Sequence, residues 1–213
     1  MLYELSKKPE TVRRILPDID PDQLKIDLEK LKNIAIDMGA AQAVIIEKKD
    51  IIFTFDVLQR ISADNGFASI HWPLFYPKDD IQEAISAYGW GIFFRMNVDG
   101  NFSDYGGGPI SNETHRQIYL RVYEITTAIE SAGFYMGYHL SLRLAAGNCR
   151  AVFCADEKRC WPMIKGKVCV RPNMGRPSME AAGIDATAMA ENLGMQTDGK
   201  LQSPILTGLV MIA

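Results

Sequence analysis

Residues 111–133, SNETHRQIYLRVYEITTAIESAG, carry the clearest periodicity in the chain. Ser111 or Asn112 supplies an N-cap, a side-chain oxygen able to take up a free N–H of the first turn. Ile118, Val122, Ile125, Ile129 and Ala132 then recur at steps of four and three residues, which stacks them on one face of a helix. Gly133 is placed to end it. Upstream, NVDGNFSDYGGGP (97–109) reads as a glycine-rich loop, and Trp90 to Met96 as a buried strand. Asp79 or Asp80 is expected to cap a short helix running to about Tyr88. HWPLFYPK (71–78) is barred from regular helix by its two prolines.

Farther upstream, Leu24, Leu28, Leu31, Ala35 and Met38 mark an amphipathic helix over 22–38. Pro21 and Asp22 suit its first turn and Gly39 its stop. Ala43 to Ile46 reads as a strand, Lys48 to Asp50 as a turn and Ile51 to Phe55 as a second strand, so a hairpin is expected. Downstream, 134–146 is an apolar connector that periodicity assigns to neither helix nor strand. An irregular stretch follows over 149–177, then a helix over roughly 178–193 and a strand over Ile205 to Ile212. Helices and strands alternate without a strict βαβ rhythm. The expected fold is therefore α/β (α+β), a mixed sheet flanked by helices with an irregular four-cysteine loop near the C-terminus. A single domain over 1–213 is expected, with the loop region at 147–177.

Across 213 residues the formal charge is −3, which gives the molecule no overall basic character for nucleic acid. The first residues, MLYELSKKPETVRR, hold no apolar run of the signal-peptide kind, and no stretch is apolar for the ~18 residues of a membrane span. A cytoplasmic protein is the expectation. In a reducing compartment, clustered cysteines serve metal binding or redox chemistry more often than disulfides.

All four cysteines of the chain lie in one segment, spaced C-x4-C-x5-C-x8-C through Cys149, Cys154, Cys160 and Cys169. Four thiolates satisfy a tetrahedral zinc ion, and equally a cubane with one ligand per iron. Gly147, Pro162, Gly166 and Pro172 let so short a chain wrap a centre. Zinc loops pair their ligands through short knuckles, whereas these gaps widen along the chain, which suits a larger centre whose corners lie farther apart. An iron–sulfur cluster, [4Fe–4S], is the leading expectation and structural zinc the alternative. Seven basic and two acidic side chains fall between residues 149 and 176, an excess of five positive charges. These cations would offset the thiolates, and could dock an acidic redox partner protein or a small anion.

From Gly147-Asn148-Cys149 through Cys154, Cys160 and Cys169-Val170-Arg171-Pro172, the segment continues into RPSMEAAGID (176–185). With the approach AIESAGFYMGYHLSLRLAAGNC, these residues resemble a family of predicted metal-binding proteins, known as domain of unknown function 2284, found in bacteria and archaea. The resemblance is best over residues 124–195. It implies metal binding, in a family with no firmly assigned reaction. Relatives commonly carry further cysteines around a W-x-CPP-like stretch. The similar place here, His71 to Pro77, has none, so one centre is expected rather than two.

Arg171 and Arg176 flank the last cysteine and could hydrogen-bond cluster sulfurs or a bound anion. With Pro177 at the first helical position, Glu180 fits the first turn of a helix. The triple glycine at 106–108 lacks the context of a phosphate loop. His71, His115 and His139 are scattered; His115 has no acidic or cysteine partner at ligand spacing, and His139, ten residues before Cys149, could approach a metal that four cysteines already satisfy.

Overall fold

Two apolar runs, one early and one late in the chain, meet at the centre of a four-stranded sheet. The computed structural model describes residues 18–54, 56–57, 78–98, 113–157, 160–161, 167–195 and 206–213. Its strands are β1 (Gln42–Glu47), β2 (Trp90–Met96), β3 (Ser141–Leu144) and β4 (Leu206–Ile212). Its helices are α1 (Pro21–Asp37), α2 (Lys78–Ser86), α3 (Glu113–Tyr135), α4 (Cys149–Phe153) and α5 (Ala186–Asn192). The strand order is β1-β2-β4-β3 and every pairing is antiparallel, with Ile45 opposite Ile92 and Phe93 opposite Leu209.

The α+β class is as expected, but the sheet is antiparallel rather than mixed. β2 and β3 run the same way, joined across α3, and β4 enters between them in the opposite direction. The unit is a split βαβ.

Side-chain alternation divides the core into two layers. Ile92, Phe94, Val210 and Ile212 pack with Leu28 and Leu31 of α1 and with Val122, Ile125 and Ile129 of α3. Phe93, Leu209, Met211 and Leu144 face the other way, onto Ile85 of α2 and onto Met179, Ile184 and Met189. Both faces are covered, so β2 and β4 read as continuous apolar runs rather than alternating ones. Fully buried Asp27 of α1 is held by Gln23 Nε2 at 3.0 Å, Lys30 Nζ at 3.2 Å and the hydroxyl of Tyr138 at 3.0 Å. Among the described residues no helix is long and apolar enough to cross a membrane.

Three expectations need correction. The hairpin over 43–55 does not form. Glu47 and Asp50 close a capping box around a 3-10 turn at Lys48–Asp50, which turns the following residues away from β1. Phe53 bridges Ile184 instead, and β1 pairs with β2. Secondly, α3 does not end at Gly133 but continues to Tyr135. That glycine serves close packing, since a Cβ there would stand 3.0 Å from Ile212 Cδ1. Thirdly, the helix over 178–193 is broken in two. Gly183 (φ +80°) closes a 3-10 turn at Glu180–Ala182, and Asp185 then caps α5 by accepting from Ala188 N at 2.9 Å.

The unassigned connector resolves into the end of α3, a turn and β3. The 71–77 stretch, the caps at 111 and 112 and the triple glycine lie outside the described residues.

Gly208, at the middle of β4, lies against the Phe94 ring, and a Cβ there would also stand 3.1 Å from Thr126 Cγ2. Phe94 is fully buried and has nowhere to go. Gly208→Ala is therefore expected to lower the unfolding free energy by about 1–3 kcal/mol, the cost of overpacking a filled core. Denaturant unfolding of the two proteins measures it directly.

Candidate metal centre

The cysteine segment begins where β3 ends. Ala145 N donates to Pro177 O at 2.9 Å, and an isolated parallel bridge joins Ala145 to Ser178. The intervening residues thus form a loop clasped at its base. Next comes Gly147, with φ +66° and no room for a Cβ beside the Tyr119 ring. Asn148 then caps α4, its side chain accepting from Arg150 N at 2.9 Å. Cys149 is the first residue of that helix and Cys154 its C-cap, whose N–H donates to Arg150 O at 2.8 Å. One turn of helix therefore separates the first two thiols. In the irregular part beyond, Cys169 Sγ accepts from Arg171 N at 3.3 Å, and the chain folds back so that Gly175 N donates to Arg171 O at 2.9 Å.

All four cysteines line one open pocket, whose empty space counted out into solvent is about 350 Å³. None is in a disulfide, and each is half-buried. Phe153, Trp161 and Gly175 complete much of the wall. A Cβ on Gly175 would lie 3.6 Å from Cys149 Sγ and 3.7 Å from Cys169 Sγ, so the absent side chain leaves space between two of the sulfurs. As placed, no three Cys, His, Asp or Glu side chains among the described residues are gathered into a single-ion site. The sulfurs rim a pocket rather than meet at a point.

The electrostatics follow from this arrangement. Burial, and then the neighbouring Cys160, Cys169 and Cys154, push the Cys149 thiol up to about 12. Burial and Cys169 raise Cys154 as well, while Arg171 opposes the rise. Like charges this close repel unless a cation lies among them, and four soft sulfur donors suit zinc or iron. The donor set fits either centre.

The arginines divide in role. Arg171 lines the pocket, and its backbone N–H reaches Cys169. Arg176 turns away to brace the loop, with Nη1 donating to Pro172 O at 2.7 Å and Gly175 O at 2.9 Å. Its Nη2 lies 3.7 Å from Glu130 of α3. Glu180 begins the short 3-10 turn, as a first-turn acid should. His139 is exposed and is not among the pocket residues. His71 lies outside the described residues, as does the side chain of His115.

Sequence reasoning passed over Arg143. On β3 and only 1 % exposed, it lies 2.8 Å from Glu130 Oε2 through Nε and donates to Thr127 Oγ1 and to Asn173 O. The Nε contact is close but lacks hydrogen-bond alignment, so it counts as an ion pair only. Burial, together with the nearby Arg176, lowers its guanidinium to about 10. Arg143 ties the loop bearing Cys169 and Gly175 to β3 and α3. A lone arginine within an otherwise apolar connector was the available signal.

The family described as "Predicted metal-binding protein (DUF2284)" matches residues 65–212. No curated protein and no solved structure matches the chain.

Proposed function

The chain belongs to the DUF2284 family of predicted metal-binding proteins, and on that premise we propose that Cys149, Cys154, Cys160 and Cys169 hold one [4Fe–4S] cluster used in electron transfer or in service of a redox partner. The observation that carries the reading is the single pocket lined by all four thiols. Widening sequence gaps and sulfurs set around a space both favour a centre with separated corners over a single tetrahedral ion.

A bound cluster would supply reversible one-electron chemistry. The chain's own part is to hold the ligands and tune them. Arg171 N–H donates to one sulfur, and hydrogen bonds to sulfur are among the determinants of cluster potential. Phe153 and Trp161 give the pocket wall apolar surface beside the thiols. The clasp at Ala145 and Ser178 and the Arg143–Glu130 pair fix the loop to the sheet and α3.

Metal and acid-labile sulfide content of anaerobically purified protein tests the reading. The expected result is about four irons and four sulfides per chain with a brown colour. One zinc without sulfide would replace it with a structural staple, the second centre that this donor set accepts. No metal at all would remove both.

A further inference from the structure

Of the nine large apolar side chains that are exposed among the described residues, four lie between 161 and 174: Trp161, Val168, Val170 and Met174. Val168 is the most open, at 83 %. Trp161 and Val170 line the pocket mouth, Val168 adjoins Cys169, and Met174 belongs to the turn that closes on Arg171. Cations share this rim. Lys167 Nζ stands 5.9 Å from the centre of the Trp161 ring, and Arg171 lines the pocket. Apolar groups clustered in water mark an interaction surface.

Charge decides what covers it. The 149–176 segment has an excess of five positive charges. A centre held by four thiolates, whether zinc or an oxidised cubane, consumes only about two of these. A cationic excess remains, on a chain that is −3 as a whole and hence acidic elsewhere. A small anion would be served by the cations but not by the four apolar side chains. An anionic lipid surface is usually met by an amphipathic helix, whereas this rim is irregular loop around a pocket. We infer that Trp161, Lys167, Val168, Val170 and Met174 form a docking face for an acidic protein surface, placing that partner directly over the thiol pocket. The inference rests on the iron–sulfur reading for its purpose, but not for its geometry.

The test uses the full chain purified anaerobically, with iron and sulfide assayed on the same sample. The probe is an acidic plant-type [2Fe–2S] ferredoxin, and affinity is measured by calorimetry. Binding should weaken roughly tenfold or more between about 20 mM and about 300 mM salt, as steering by opposite charges requires. Lys167→Glu/Val168→Ser should weaken it roughly tenfold at low salt with iron content unchanged. Affinity independent of salt, or unaltered in the double variant, would overturn the docking face while leaving the cluster standing. Absence of iron and sulfide would instead remove the reading beneath it. Two further outcomes would also overturn the inference: capture by phosphatidylserine vesicles in place of the ferredoxin, or dimerisation of the chain alone that the double variant abolishes.

Discussion

Cys149→Ser protein, purified anaerobically, is expected to retain less than about a tenth of the parent's iron and sulfide while keeping its fold. Of the four thiols, Cys149 is the one built most firmly into the scaffold. It opens α4 behind the Asn148 cap and packs against the core layer that contains Tyr119 and Val152. Serine fits the same space, so the cap and the packing survive. The change exchanges a soft sulfur for a hard hydroxyl that does not ionise at neutral pH, and iron loses one corner. Circular dichroism should match that of the metal-free parent. Trp161→Phe, which alters the pocket wall without touching a thiol, should keep its iron. Full iron in Cys149→Ser would mean that the centre is assembled elsewhere.

The largest loss of stability is expected from Gly147→Ala, and its size can be separated into causes by comparison with Gly194→Ala. Both glycines have a left-handed backbone, φ +66° and φ +67°. A side chain in that region costs about 1–2 kcal/mol whatever surrounds it. At Gly194 a new Cβ meets nothing within 4 Å, so strain alone is felt. At Gly147 the same methyl runs into the ring of Tyr119, a buried residue of α3. Displacing that ring adds roughly another 1–3 kcal/mol. Urea unfolding of the metal-free proteins should thus place Gly194→Ala near about 1 kcal/mol and Gly147→Ala near about 3 kcal/mol below the parent. Equal losses at the two sites would show that Tyr119 moves aside freely.

The parts of the fold that could be read in sequence are those whose signal is local. The stripes of α1 and α3 and the apolar runs of β2 and β4 came through because burial on one face, or on both, writes itself into consecutive residues. Strand pairing is not written there. Ile51 to Phe55 looks like the return arm of a hairpin, but the partner of β1 is β2, beyond α2 in the chain. Glycines were legible as breaks but not as contacts. Nor does sequence say which break is real: Gly133 has the place of a helix stop but its lack of a side chain admits Ile212, whereas Gly183 interrupts what the pattern presents as one helix. At the candidate centre the four thiols were evident from spacing. Gly175 and Arg143 were not, because what they do depends on sulfurs and carbonyls brought to them by the fold.

The insertion of β4 between β2 and β3 has a kinetic consequence. Met96 pairs with Leu206 and Leu144 with Leu209, so the sheet cannot acquire its central strand until the segment following the cysteines has arrived. Loop closure over such separations is slow, and topologies of high contact order fold late. During that interval the four thiols have no finished scaffold behind them and stand open to oxidants, which convert thiolate to sulfenate and disulfide. If the four thiols hold the proposed centre, the topology sets a race between maturation and oxidative damage, and the speed of sheet closure decides how many chains keep their sulfurs intact for it.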